Sequence, residues 1–154
     1  MRTIAPCFER EYLGIEASPA RGNREASVAD RDVAALQSDI EAFGGLYRAK
    51  VGRWTDWLAD LRRAGRRAIL WGAGARAVAF LSALRPGPEV PYLVDINPHR
   101  QGLFLPRTGQ RVESPETLST DRPDAVLITN PAFADEIRRQ ASELGIRGEM
   151  LVLD

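Results

Sequence analysis

Three short runs hold the residues whose types and spacing bear on chemistry. The first, "LWGAGARAVAF" at 70–80, sets Gly72, Ala73, Gly74 and Ala75 between an apolar run and a helical pattern. With Ala77 in the third small position it reads G-x-G-x-x-A. The first glycine permits a tight turn, the second lets a phosphate reach the backbone, and the small third residue lets helix pack on strand. The free amides and positive end of a helix beginning there favour an anion.

The second run, "VDINPHRQG" at 94–102, offers Asp95 and Asn97 as contacts to a ribose or base. Asp95 closes an apolar run some twenty residues after the glycines, the spacing at which an acid meets ribose hydroxyls. His99 is read as a surface loop residue and Arg100 as a solvated arginine, with ligand contact as the alternative for each. In the third run, "ITNPAFADEI" at 128–137, Asn130 stands where a strand ends and a helix opens. It is either a plain helix cap or a ligand contact at the strand ends of an open sheet. Asp135 and Glu136 fall in the first helical turn, where they complement the helix dipole.

These runs lack a reacting group. His99 is the only histidine and Cys7 the only cysteine, so paired-histidine or cysteine metal ligation and an intrachain disulfide are excluded. There is no Ser-His-Asp set, no P-loop lysine and no C-x-x-C. Catalysis needs a base, nucleophile or electrophile at a reacting atom, and none is legible. The sequence therefore predicts no catalytic residues and no metal site. Formal net charge is zero, although 21 residues are basic and Lys50 is the only lysine among them. No global field draws the chain to nucleic acid or an anionic membrane. No apolar run approaches the ~18 residues that span a bilayer, and "MRTIAPCFEREY" lacks a signal peptide's apolar segment. The cytoplasm is the expected location.

The elements that must position these runs follow from periodicity. Residues 7–17 read as a strand, 18–26 as a polar linker, and "SVAD" at 27–30 as a capping box with Ser27 as cap. Val33, Leu36, Ile40, Phe43, Tyr47, Val51, Trp54, Leu58 and Leu61 then fall at spacings of three or four, one apolar stripe along a long helix. Gly44-Gly45 costs about 2 kcal/mol against alanine and is expected to bend or break it into 28–43 and 46–64. The stripe calls for a covering neighbour, either the following domain or another chain. From residue 66 strands (67–71, 90–95, 124–129, 149–153) alternate with helices (75–84, 132–145), a short helix opens at Pro115, and 96–112 is read as irregular. This rhythm predicts an α/β fold with a parallel sheet of about four to five strands flanked by helices. An arm over 1–64 precedes this domain at 65–154.

"WGAGARAVAFL" (71–81), "YLVDINPHRQGLFLPRTGQRVESPETL" (92–118) and "RPDAVLITNPAFADEIRRQASELGI" (122–146) together resemble a known module. It is the C-terminal domain of the S-adenosylmethionine-dependent sugar C-methyltransferases, which methylate carbons of nucleotide-linked deoxysugars. "CFEREYLGIEASP" is similar to the last strand of that family's methyl-donor domain. The zinc-binding cysteine cluster, main donor site and catalytic residues of full-length members have no counterpart here. The resemblance implies a Rossmann-like module that packs against a catalytic domain and helps form the cleft for a nucleotide-sugar. It carries over to Gly72, Gly74, Asp95, Asn97 and Asn130 only.

The expected function is a noncatalytic accessory domain that binds a nucleotide or nucleotide-sugar at 72–77. Its expected partner is a methyltransferase catalytic subunit, or a second copy through the 28–64 arm. Two alternatives stand beside it: an enzyme using NAD or S-adenosylmethionine, and a structural dimerisation module with an empty glycine turn.

Overall fold

A computed structural model describes residues 3–7, 12–16, 19, 30–84 and 89–153. The capping residue Ser27, the linker apart from Pro19, and the turn at 85–88 lie outside the described residues. Two compact units divide the chain, Met1–Ala42 and Phe43–Asp154.

In the first unit, β1 (Thr3–Cys7) and β2 (Tyr12–Glu16) form an antiparallel hairpin, with Ala5 opposite Gly14. The single strand expected over 7–17 is thus corrected to two strands: β2 lies within that range and β1 ends at its first residue, Cys7. The long helix α1 runs unbroken from Asp30 to Arg63, which also corrects the expected division at Gly44-Gly45. Glycine in a helix lowers stability without forbidding helical dihedrals. Flanking alanine, leucine, arginine and lysine are all good helix formers.

The second unit is built on a five-stranded parallel sheet in the order β5-β4-β3-β6-β7. Its strands are β3 (Ala68–Trp71), β4 (Tyr92–Val94), β5 (Arg111–Glu113), β6 (Ala125–Ile128) and β7 (Glu149–Val152). The central pair β3 and β6 reads as two continuous apolar runs because helices cover both faces. Alternation then sends successive side chains to opposite sides. Leu70 and Leu127 join Trp54, Leu58 and Leu61 of α1 and Ala77 and Leu81 of α2 (Ala75–Leu84). Ile69, Trp71, Val126 and Ile128 pack with Ile137 and Ala141 of α3 (Ala134–Glu143) and with Leu118. Each fully buried leucine or isoleucine contributes about 1.5–3 kcal/mol from water exclusion.

β5 lies in the stretch read as irregular, for a physical reason. "RVE" is three residues long with only Val112 buried, too short to show a period of two. An isolated antiparallel bridge from Phe104 to Arg111 flanks it on the chain. The short helix at 115–119 is 3-10, with Pro115 first and Ser114 accepting from the Glu116 amide. Residues 131–133 form another 3-10 turn before α3. Among the described residues no helix is long and apolar enough to cross a membrane.

The apolar stripe of α1 divides in two. Trp54, Leu58 and Leu61 are buried in the core, whereas Val33, Leu36, Ile40, Phe43 and Tyr47 are exposed. Near the helix end, Arg62 grips the buried Glu89 carboxylate through two hydrogen bonds, Nε to Oε2 at 3.1 Å and Nη2 to Oε1 at 2.8 Å. The Glu89 carbonyl in turn accepts from the Ala68 amide at 2.8 Å. This ties α1 to the entrance of β3 and so to the glycine turn at its far end.

Candidate functional site

Along the chain the sheet grows outward from β3 through β4 to β5, then returns to the other side of β3 for β6 and β7. The order therefore reverses between β3 and β6, and in open α/β sheets ligands lie outside the carboxyl ends of the strands at such a point. The turn carrying Gly72–Ala75 follows β3 at that position.

Its two glycines have different physical reasons. Gly72 has φ of 105°, a region side chains rarely adopt. A Cβ there would fall well inside contact distance of Thr129 Oγ1. Thr129 is buried, and its hydroxyl is placed to donate to the Trp71 carbonyl at 3.0 Å or the Gly72 carbonyl at 3.2 Å. The Gly72 amide donates to the Val94 carbonyl at 2.8 Å. Gly72 is thus enclosed by protein on both sides. Gly74 has no positive φ, and the nearest atom to a Cβ built on it is Arg100 Nη1 at 3.8 Å. Its missing side chain leaves room above the backbone that the fold does not use. Ala77 is fully buried where α2 packs on the sheet.

Asp95 is buried. Its Oδ2 accepts from the Ala73 amide at 2.7 Å and from Arg100 Nη1 at 2.9 Å, and its Oδ1 from the Asn97 amide at 2.9 Å. Burial by itself would raise its pKa, but the Ala73 and Asn97 amides and the Arg100 guanidinium outweigh that and hold it below the ordinary carboxylate value. Three of the roughly four acceptor positions of the carboxylate are occupied by the chain itself. The acid therefore clamps the glycine turn to the 95–102 loop. Asn97 Oδ1 accepts from the His99 amide at 3.0 Å, and His99 is exposed. Asn130 Oδ1 accepts from the Ala132 amide at 3.2 Å, so it caps the 131–133 turn.

Of the residues singled out in the sequence, Ala73 and Asn97 are both hydrogen-bonded to Asp95, and Gly72, Gly74 and Ala75 flank Ala73 in the same turn. Asn130 stands one residue beyond the threonine that touches Gly72. Beside them the structure opens a groove of about 650 Å³, which sequence patterning did not reveal. Phe43, Tyr47, Lys50 and Trp54 of α1 form one wall, and Arg76, Ala79 and Phe80 of α2 the other. Thr129 and Pro131 reach it from the end of β6. Phe43 and Tyr47 stack with centroids 6.2 Å apart, while Trp54 meets Phe80 edge-on at 5.5 Å. Trp54 Nε1 is buried with no acceptor among the described residues. Phe43, Tyr47 and Trp54 stand in the sequence as part of the apolar stripe, but the pairing of that stripe with α2 to enclose a groove has no signature in local spacing.

A parallel sheet in this order, with a glycine turn where the order reverses, defines a Rossmann-like domain. Residues 37–154 match the family described as the C-methyltransferase C-terminal domain, and the chain belongs to that family. Among solved structures it is similar to the crystal structure of RSP, a Rex-family repressor, with 18% identity and a TM-score of 0.42. That match covers 57% of this chain and 52% of the other, so the chain spans about half the length of that protein. RSP in complex with beta-NADH is similar at 16% identity and a TM-score of 0.42, covering 79% of this chain and 68% of that one. No curated protein matches the chain.

Proposed function

We propose that this chain is an accessory domain that performs no chemistry alone. It holds a nucleotide or nucleotide-sugar at the 72–77 turn and the adjoining groove, for a methyltransferase catalytic unit. One observation carries the reading. The groove of about 650 Å³ is lined by Arg76, which follows the glycine turn in the chain, and by Thr129, whose hydroxyl lies 3.2 Å from the Gly72 carbonyl. That volume is typical of small-molecule sites (about 300–1,000 Å³), which are mostly apolar with a few placed polar groups. The space above Gly74 admits a phosphate, and the aromatic walls suit a base or sugar ring. The exposed row from Val33 to Tyr47 is where the catalytic unit docks in this reading.

The NAD alternative leans on Asp95 as the ribose ligand, and its carboxylate is already bonded to Ala73, Asn97 and Arg100. Calorimetric titration with TDP, a TDP-sugar, S-adenosylmethionine and NAD separates the readings. Binding of TDP or its sugar alone is the expected outcome. Tight binding of NAD or S-adenosylmethionine would replace this reading with an enzyme, and silence from all four would leave the turn as a packing device.

A further inference from the structure

Among the described residues the Arg100 side chain makes a single hydrogen bond, from Nη1 to Asp95 Oδ2 at 2.9 Å. The two side chains differ sharply in environment: Asp95 is 6% exposed and Arg100 47%. One nitrogen is anchored on a buried carboxylate while the rest of the guanidinium faces solvent beside the turn. The anchored nitrogen is also the nearest atom to the open position above Gly74, at 3.8 Å.

The loop that delivers Arg100 is held tightly. The Arg100 amide donates to the Asn97 carbonyl at 3.0 Å, the Leu103 amide to the Arg100 carbonyl at 3.1 Å, and Gln101 Nε2 to the Asp95 carbonyl at 2.9 Å. Both ends of the side chain's path are therefore fixed before any ligand arrives. A guanidinium has five donors in a planar fork suited to phosphate oxygens. Ordering a long side chain at binding costs conformational entropy, and an arginine already held by a carboxylate avoids part of that. Replacing it by lysine would keep the charge but lose the fork.

We infer that Arg100 is the residue that makes this site select phosphorylated ligands, and that Asp95 is its positioning residue rather than a ligand contact. The inference rests on the proposed nucleotide site and assigns its specificity. The guanidinium meets a diphosphate lying over Gly74, while the base and sugar occupy the groove. A nucleoside without phosphates gains nothing from Arg100.

Thymidine and TDP, titrated into the full chain, test this directly. The wild type is expected to bind TDP more tightly than thymidine. Arg100→Gln keeps an amide donor for Asp95 and removes the charge. It is expected to weaken TDP about tenfold or more, the scale of a lost charged hydrogen bond, and to leave thymidine within about twofold. Arg100→Lys should fall between the two. Asp95→Asn should also weaken TDP, and Arg100→Gln added to it should cost little more, because positioner and contact act as one unit. If the wild type binds TDP and Arg100→Gln binds it equally well, the assignment of Arg100 is wrong while the nucleotide site stands. If Arg100→Gln weakens TDP and thymidine by the same factor, Arg100 is structural and the inference fails. Additive losses in the double variant would remove Asp95 from the positioning role. Wild-type protein that binds neither compound overturns the proposed site and this inference together.

Discussion

The hydroxyl of Thr129, at the end of β6, occupies the space where Gly72 would carry a side chain at the end of β3. Two neighbouring strands thereby lock the glycine turn at their carboxyl ends. Gly72→Ala must both adopt φ near 105° and displace a buried hydroxyl. Positive φ costs a side chain about 1–2 kcal/mol and overpacking about 1–3 kcal/mol. Urea unfolding should therefore show a loss of about 2–5 kcal/mol. A stable Gly72→Ala protein would mean that the turn is free to rearrange.

Asp95 makes an acid-sensitive contribution. Its folded pKa lies below the ordinary 3.8, so the folded state favours the ionised form. The stabilisation is complete above the ordinary value and disappears as pH falls through the folded one. Asp121 is held down in the same sense, first by the Arg67 guanidinium and then by Tyr92. Denaturation at neutral pH should show Asp95→Asn less stable than wild type by about 1–3 kcal/mol, the cost of unmatched buried donors. That gap should close in acid below the carboxylate range. A gap unchanged by pH would show that the Asp95 charge contributes nothing.

Helix α1 changes role along its length. Leu58 is 4% exposed and Ile40 61%, although both belong to the same apolar stripe. Leu58→Ala should cost about 2–5 kcal/mol by leaving a cavity, and Ile40→Ala should stay within about 0.5 kcal/mol. Equal effects would show that the Val33–Tyr47 row is covered within the isolated chain.

Arg62 compensates a carboxylate that is 2% exposed. Among the described residues its neighbour Arg63 pairs with the exposed Asp60. Thermal unfolding should therefore drop clearly in Arg62→Met and hardly move in Arg63→Met, since stripping the partner from a buried charge leaves it unpaired. A reversed order would separate Glu89 from the junction of α1 and β3.

The sheet was largely legible because "AILW" and "AVLI" are uninterrupted apolar runs, as strands covered on both faces must be. The apolar pattern of "ARAVAFLSAL" matches α2 at its observed bounds, Ala75–Leu84. The hairpin, β5 and the continuity of α1 were less legible. β5 is three residues long and takes its strand character from pairing with β4, a non-local contact. Gly44-Gly45 weakens a helix locally, but the good formers on either side carry it through. The glycine turn was visible by spacing, as was the presence of an acid after β4. The bonds that Asp95 makes depend on where the 95–102 loop folds back, which no local pattern encodes. The groove is less legible still, since its walls come from α1 and α2 and meet only in the tertiary fold.

The most direct test of the nucleotide site is calorimetry of TDP against wild type and Gly74→Val, with unfolding curves recorded on both. Among the described residues only Arg100 Nη1, at 3.8 Å, lies within 4 Å of a Cβ at this position, so the variant should fold with stability close to wild type. Binding to the wild type that vanishes in folded Gly74→Val is the predicted result. Equal binding by both proteins would place the ligand elsewhere and contradict the account.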